Sequence, residues 1–420
     1  MPLGDKRKEL VSRAALFSFW LFIFMIPFRS AMGHLHSPAR TILLLVMALF
    51  IAVRVADGKW RPFPADRPFF LFSAVMALSS IFSFDVEYSL SAYVRTLLPM
   101  MILYLTGSRL IDGRTRLMGT ALVIVVSSIL ALGAGFVFHE RTDGRLEGLF
   151  EWPTRLGKYL DLVIPLTISL ALAGPGHMVR TLSGTALLIQ AAALVSSSTR
   201  GAFIGIGLSC TPFLAMKRGL IPIAAAVLAA LSIFLLMAPE EITHRDRIIE
   251  TVTRLPMVLR EDAAMNQRFE IYKTTLLLIR QRPVLGWGYG NHIEKLILEK
   301  RGYDWLRSQG IDPPEIYHAH NLPLEIALEG GLLALAAAVW LWVEVAVMGI
   351  RLMMIGQGAP DASSTRSTAI LGSGFFLGLT ALFIHGFVTV PQWANSTLAV
   401  AYMSVVVAAA RSNLKGDGSP

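Results

Sequence analysis

Residues 117–138 read LMGTALVIVVSSILALGAGFVF, an unbroken run without a single charged side chain. The hydrocarbon core of a bilayer is about 30 Å thick and needs roughly 20 mostly apolar residues to cross it as a helix. The run is therefore long enough to span a membrane. Runs of the same kind occur on either side, at 15–33, 40–56, 68–84, 89–106, 157–173, 181–197, 201–216, 219–238, 321–350, 367–388 and 395–410. Together they predict an all-α, polytopic integral membrane protein with about 12 transmembrane helices. Composition agrees: 54% of the chain is hydrophobic and only 16% is charged, too little charge to cover a soluble protein of 420 residues. The first run starts near Ala14, has no cleavage pattern behind it and is one of many, so an uncleaved span is expected there and not a signal peptide. Cys210 is the only cysteine, which excludes an intramolecular disulfide or a cysteine-cluster metal site.

Charge orients the chain. With an even number of spans both termini lie on one side, and that side collects Lys6, Arg7, Lys8 and Arg13, then Arg54, Lys59, Arg61 and Arg67, and later Arg180, Lys217, Arg218, Arg351 and Arg366. The short loops on the other side hold fewer basic residues, so the positive-inside rule predicts cytoplasmic termini. The same asymmetry accounts for most of the net charge of +9, and no nucleic-acid partner is expected. Organisation follows in three parts: spans 1–9 over 1–238, one large periplasmic loop over 239–320, and spans 10–12 with a cytoplasmic tail over 321–420. Within the loop, 266–282 reads as an amphipathic helix with Phe269, Tyr272, Leu276 and Ile279 on one face, stopped by Pro283. A second helix is expected at 291–301.

Three short segments carry the chemistry: Ser198-Thr199-Arg200-Gly201, Arg268-Phe269-Glu270-Ile271-Tyr272 and His318-Ala319-His320-Asn321. The expected topology brings all three to the outer membrane face. An arginine offers a planar, permanently charged fork suited to phosphate oxygens. A histidine titrates near neutrality and can accept a proton from an attacking hydroxyl. Arginines that hold a diphosphate and a base that activates a sugar hydroxyl are what glycosyl transfer from a polyprenyl-diphosphate donor requires. Neither ATP nor a nucleotide is needed. Each residue also admits a plainer role: Arg200 as a headgroup marker, Arg268 as a solvated face residue, and His318 with His320 as structural groups or metal ligands. Arg95, Asp161, Lys158 and His385 lie in or at the ends of spans, where an ionisable group faces a cavity or an interhelical partner. Glu325 is read as structural. The run Gly286-Trp287-Gly288-Tyr289-Gly290 is read as a turn, with Trp287 and Tyr289 at the lipid interface or against a sugar ring.

On these segments the chain resembles the O-antigen ligases, within the larger group that includes O-antigen polymerases and protein O-oligosaccharyltransferases. Those ligases carry a His-Asn pair, nine intervening residues, a Gly, and a Gly, Thr or Tyr three further on. Here His320-Asn321 stands at that spacing from Gly331, with Ala334 in the last position. The resemblance implies a GT-C-like membrane glycosyltransferase of the bacterial inner membrane with a periplasmic active site. It implies transfer of undecaprenyl-pyrophosphate-linked O-antigen onto lipid A-core, with inversion at the anomeric carbon and without metal or cofactor. His320 would be the general base. Arg200 and Arg268 would bind the diphosphate, and His318, Asn321, Lys158 and Tyr272 complete the candidate substrate-binding set. A polymerase or a protein O-oligosaccharyltransferase would use the same donor type. A secondary transporter is the non-enzyme alternative, although no internal repeat or pair of broken helices is evident.

Overall fold

The structure, a computed structural model, describes residues 5–58, 60–138, 141–142, 145–216, 263–302, 304–311, 318–359, 363–387, 389–390 and 393–414. Among the described residues its regular structure is helical apart from a two-residue antiparallel ladder, β1 (Arg141–Thr142) on β2 (Arg145–Leu146). Among the described residues seven helical stretches are long and apolar enough to cross a membrane. This is a membrane protein. The first stretch, Lys6–Ala56, is 51 residues long. It holds α1 (Asp5–Met25) and α3 (His36–Ala56), which pack against each other after short turns and a one-turn α2 (Arg29–Met32) reverse the chain.

The other long stretches are 86–110, α7 (Gly113–Phe138), α8 (Pro153–Ala173), α9 (Gly176–Ser197), α14 (Leu322–Gly358) and α15 (Ser364–Gly386). The stretch 86–110 comprises α5 (Val86–Ala92), a π turn (Tyr93–Leu97) and α6 (Leu98–Leu110). Three more expected spans coincide in position with α4 (Asp66–Ile81), α10 (Arg200–Met216) and α16 (Trp393–Leu414). At 16 residues α4 is only about 24 Å long, shorter than the bilayer core. The expected span 219–238 lies outside the described residues.

The two most completely buried apolar helices, α8 and α15, form the centre. They approach closely because Gly374 and Gly378 face α8: an added Cβ would lie 2.0 Å from Ser169 Oγ at the first and 2.7 Å from the Leu162 carbonyl at the second. Gly201 and Gly205 do the same for α10 on α15, where added Cβ atoms would meet His385 at 2.4 Å and the Ala381 carbonyl at 2.6 Å. Both pairs have the small-xxx-small spacing that lets helix backbones touch in a membrane.

The large loop carries α11 (Ala263–Gln281), α12 (Ile293–Arg301) and a short α13 (Asp304–Ser308). The first two agree with the helices expected there. The buried face of α11 does not. Phe269 and Leu276 point outward, 58% and 46% exposed, while Ile271, Thr274, Thr275 and Leu278 turn inward with Ile279. Spacing alone picks the more apolar stripe. The protein buries the stripe with two threonines, because Thr275 supplies a hydroxyl to the buried carboxyl group of Glu294 at 2.9 Å.

One break organises the loop. Inside α14, Gly331 leaves helical geometry with φ 70° and ψ −174°, which frees the backbone groups around it. The segment after α11 takes them up. Trp287 N–H donates to the Leu328 carbonyl at 2.9 Å, Gly288 N–H to the Glu329 carbonyl at 3.0 Å, and Leu332 N–H to the Pro283 carbonyl at 2.7 Å. Ser79 Oγ donates to the Glu329 carbonyl at 2.5 Å from α4. Trp287 is thus neither at the lipid interface nor open to a sugar. It is 1% exposed, its indole N–H donates to the Leu278 carbonyl at 2.8 Å, and Arg282 and Arg301 lie over its ring. Tyr289 likewise turns inward, its hydroxyl accepting from Thr96 Oγ1 at 3.0 Å.

A side chain at 331 would be strained by its backbone and would also strike the Val284 carbonyl at 2.1 Å. Gly331→Ala is expected to destabilise the protein by at least about 1–3 kcal/mol and to lower its thermal midpoint in detergent. Gly358→Ala, at an open position of the same helix, is expected to leave the midpoint unchanged.

Candidate functional site

Two of the three chemical segments, 198–201 and 318–321, lie at the end of α15, and the third, 268–272, is on α11. The turn before α10 is held from two sides: Thr199 Oγ1 donates to the Pro153 carbonyl at 3.0 Å, and Arg145 Nε donates to the Ser197 carbonyl at 2.9 Å. Ser198 adopts φ 48°, a left-handed residue that closes α9 and starts α10. Arg200 stands at the head of α10, exposed, and its neighbour Gly201 abuts His385 near the end of α15.

The histidine segment lies at the same end of α15. Asn321 caps α14, its Oδ1 accepting from Leu324 N–H at 3.1 Å while its Nδ2 donates to the Phe387 carbonyl at 3.0 Å. The side chain at Asn321 therefore joins α14 to α15 and fixes the exit of His320. Glu325 acts from the opposite direction. The segment folds back over the first turn of α14, and the Glu325 carboxylate accepts from Ala319 N–H at 2.7 Å. Held at both ends, His320 keeps φ 50°, a conformation that costs a non-glycine residue about 1–3 kcal/mol and persists where the surroundings over-determine it. The rings of His318 and His320 lie with centroids 4.0 Å apart.

Charge defines what this arrangement can do. Burial pushes the His320 imidazole down to about 4, and the positive charges of Arg268 and Lys158 push it the same way. His318 is lowered to about 3 by burial, then by His320, Lys158, His292 and Arg155. Both rings are neutral at physiological pH, and both can accept a proton. Lys158 is buried on α8, where its Nζ donates to the Val390 carbonyl at 2.5 Å. Arg268 and Lys158 are thus within electrostatic reach of His320. Arg200, at the α10 head, is not among the charges that act on it. Tyr272 is half-buried and packs with Ile271, Leu298 and Leu306 in the loop core.

Several residues of the site carry no signal in the sequence. Neither spacing nor composition points to Arg155 or His292, and Arg145 reads only as a loop charge. Glu294 is pushed up to about 8 by burial and by the nearby Glu325 carboxylate, so it carries its proton at neutral pH. Asp161 and His385 form a buried pair, Oδ2 to Nδ1 at 2.6 Å, between α8 and α15. That pair fixes the two central helices directly beneath the site. Among the described residues no three His, Cys, Asp or Glu side chains are grouped to hold a metal ion.

Residues 185–339 match the family model described as O-Antigen ligase. This segment is an O-antigen ligase family domain. It contains Arg200, Arg268, Tyr272, His318, His320, Asn321 and the break at Gly331, whereas Lys158 and Asp161 precede it. The O-antigen ligase family implies a membrane glycosyltransferase-like activity on lipid-linked polysaccharide and a lipid acceptor. A search of the curated proteins finds no match.

Diethyl pyrocarbonate acylates only a neutral imidazole, so the modification of His320, followed by mass spectrometry of its peptide, reads its titration. The rate is expected to hold from pH 8 down to about 5 and to halve near 4. Arg268→Ala removes a charge that opposes protonation, so its midpoint is expected to rise.

Proposed function

We propose that the protein is an O-antigen ligase, which transfers undecaprenyl-diphosphate-linked O-antigen to a sugar hydroxyl of lipid A-core at the periplasmic face of the bacterial inner membrane. The observation that carries this reading is a neutral His320 set in the field of Arg268 and Lys158, within a domain of the O-antigen ligase family. In this reading 12 spans cross the membrane with both termini cytoplasmic, and the 239–320 loop covers the site from outside.

The chemistry needs no metal or nucleotide. The diphosphate is already a good leaving group, and its negative charge is held by Arg268 and Lys158, with Arg200 reaching it from the head of α10. Preorganised cations aimed at charge that develops in the transition state supply a large part of such a barrier reduction. His320 accepts the proton of the acceptor hydroxyl as its oxygen attacks the anomeric carbon. The bond from that carbon to the diphosphate breaks, and the electron pair leaves with undecaprenyl diphosphate. Direct attack of this kind inverts the anomeric centre.

A base held near 4 is weak for this task, since general bases work best near the operating pH. Burial is the larger cause of that depression, and the charges of Arg268 and Lys158 add to it. The donor diphosphate offsets the part due to those cations, so its binding moves the imidazole upward. His318, its ring tilted against that of His320, and Asn321, which fixes its backbone, serve as positioning groups around the substrates, with Tyr272 at the loop side.

The test is reconstituted transfer with purified protein, lipid-linked O-antigen and lipid A-core, without nucleotide and with a chelator present. Wild type is expected to form the larger lipopolysaccharide. His320→Ala is expected to lose roughly 10²–10⁴-fold in rate, and Arg268→Ala about 10²–10³-fold. Lengthening of the lipid-linked chain alone would make the protein a polymerase. Absence of any transfer would remove the glycosyltransferase reading.

A further inference from the structure

An arginine that precedes the family domain governs the turn that carries Arg200. That turn consists of two residues, Ser198 and Thr199, between the end of α9 and the head of α10. The dihedral angles at these two residues therefore set the direction in which the Arg200 side chain starts. Ser198 is left-handed, with φ 48° and ψ 36°, a conformation that a serine keeps where its surroundings impose it. The last carbonyls of a helix also lack an intrahelical partner. Arg145 meets both needs. Its Nε donates to the Ser197 carbonyl at 2.9 Å, and its Nη2 lies 3.5 Å from both the Ser198 carbonyl and Thr199 Oγ1.

Arg145 itself stands on a fixed base. It begins β2, paired with Thr142 of β1, and the chain after it runs through the buried Leu146 and Glu147 into a 3₁₀ turn at Gly148–Phe150. That turn is docked on two helices. A Cβ added at Gly135 of α7 would lie 3.1 Å from the Gly148 Cα, and the Phe150 ring packs on Tyr159 of α8 with centroids 4.8 Å apart. The 198–199 turn is also fixed to α8 directly. Thr199 Oγ1 donates to the Pro153 carbonyl at 3.0 Å, and the Thr199 methyl group would lie 2.6 Å from a Cβ added at Gly157. The hairpin and α8 thus hold the turn together, at a residue adjacent in sequence to Lys158.

We propose that Arg145 is a positioning residue for glycosyl transfer, which locks the 198–199 turn so that the Arg200 guanidinium is presented to the donor diphosphate. The inference rests on the transfer reading, in which Arg200 is a ligand of that diphosphate. A planar fork that spans successive acceptors fixes a turn in a way that one flexible ammonium group does not. A positioned group displaced by about 1 Å can cost about 10²-fold in rate. Loosening the turn is therefore felt at the diphosphate, although Arg145 acts only through Arg200.

A double-substitution cycle tests it on wild type, Arg145→Ala, Arg145→Lys, Arg200→Ala and the two double variants. Binding of undecaprenyl diphosphate is read by native mass spectrometry in detergent, and transfer by KM for each substrate. Arg145→Ala is expected to weaken that binding and raise the donor KM by about tenfold or more, within the loss shown by Arg200→Ala, with the acceptor KM unchanged. Arg145→Lys keeps the charge without the fork and is expected to recover part of the loss. In the Arg200→Ala protein either change at 145 is expected to add less than about twofold, because residues that act through one another are not additive. Arg145→Lys carries the cycle alone if Arg145→Ala does not fold.

Losses that multiply in the double variants overturn the proposal, since a merely structural role lowers the amount of folded protein whether or not Arg200 is present. A rise in acceptor KM with the donor KM unchanged overturns it too. So does equal binding of undecaprenyl diphosphate by wild type and Arg200→Ala. If wild type binds the lipid diphosphate but transfers nothing, the ligase reading fails while the binding cycle still decides the role of Arg145.

Discussion

The structure of the site depends on one break in a helix. At Gly331 α14 abandons helical geometry, and the carbonyls of Leu328 and Glu329 and the amide of Leu332 are taken up by the backbone of 283–288. Unpaired backbone groups are among the most expensive things to bury in or near a membrane. The break and the docking segment are therefore stable only together. The consequences run outward from there. The part of α14 before Gly331 is set off from the rest of the helix, carrying Glu325 to the Ala319 amide and Glu329 to the Gly290 amide. Through those two carboxylates the loop core and the histidine segment are fixed to the same short piece of helix.

The second constraint is charge in an apolar setting. Lys158, Asp161, His385, Glu294, Glu325 and Glu329 are all nearly inaccessible, and each is tied to a specific partner: Val390, the Asp161–His385 pair itself, Thr275, Ala319 and Gly290. The charges that act on His320 are those of Arg268 and Lys158, both positive. A site of this sign suits a polyanion, whose charge balances that of the protein.

Much of this is legible in the sequence, for identifiable reasons. Long apolar runs have a length set by the bilayer, so helices such as Gly113–Phe138 and Ser364–Gly386 fall close to their expected limits. The His-Asn to Gly spacing points to His320 and Gly331, and the structure supplies the cause: Asn321 caps the helix and Gly331 breaks it after the intervening turns. Periodicity misjudges α11, since Phe269 and Leu276 form the better apolar stripe yet face outward. Which stripe is buried is decided by a partner, Glu294, that pattern reading cannot locate. The Trp287 environment is hidden for the same reason: its ring is met by two guanidinium groups from separate helical segments, Arg282 after α11 and Arg301 at the end of α12. The pairings of Gly201 and Gly205, and of Gly374 and Gly378, are present in the sequence as small-xxx-small spacing, but the spacing does not say which helix each pair meets.

The central claim is that His320 activates the acceptor hydroxyl for direct attack on the anomeric carbon, while cations hold the departing diphosphate. Stereochemistry tests it most directly. The anomeric configuration of the linkage joining O-antigen to lipid A-core would be read by NMR from the one-bond C–H coupling and compared with that of the lipid-linked donor. Direct attack predicts inversion. Retention would contradict it, because two successive displacements through a glycosyl-enzyme would be required and His320 would not be acting as a base for direct attack.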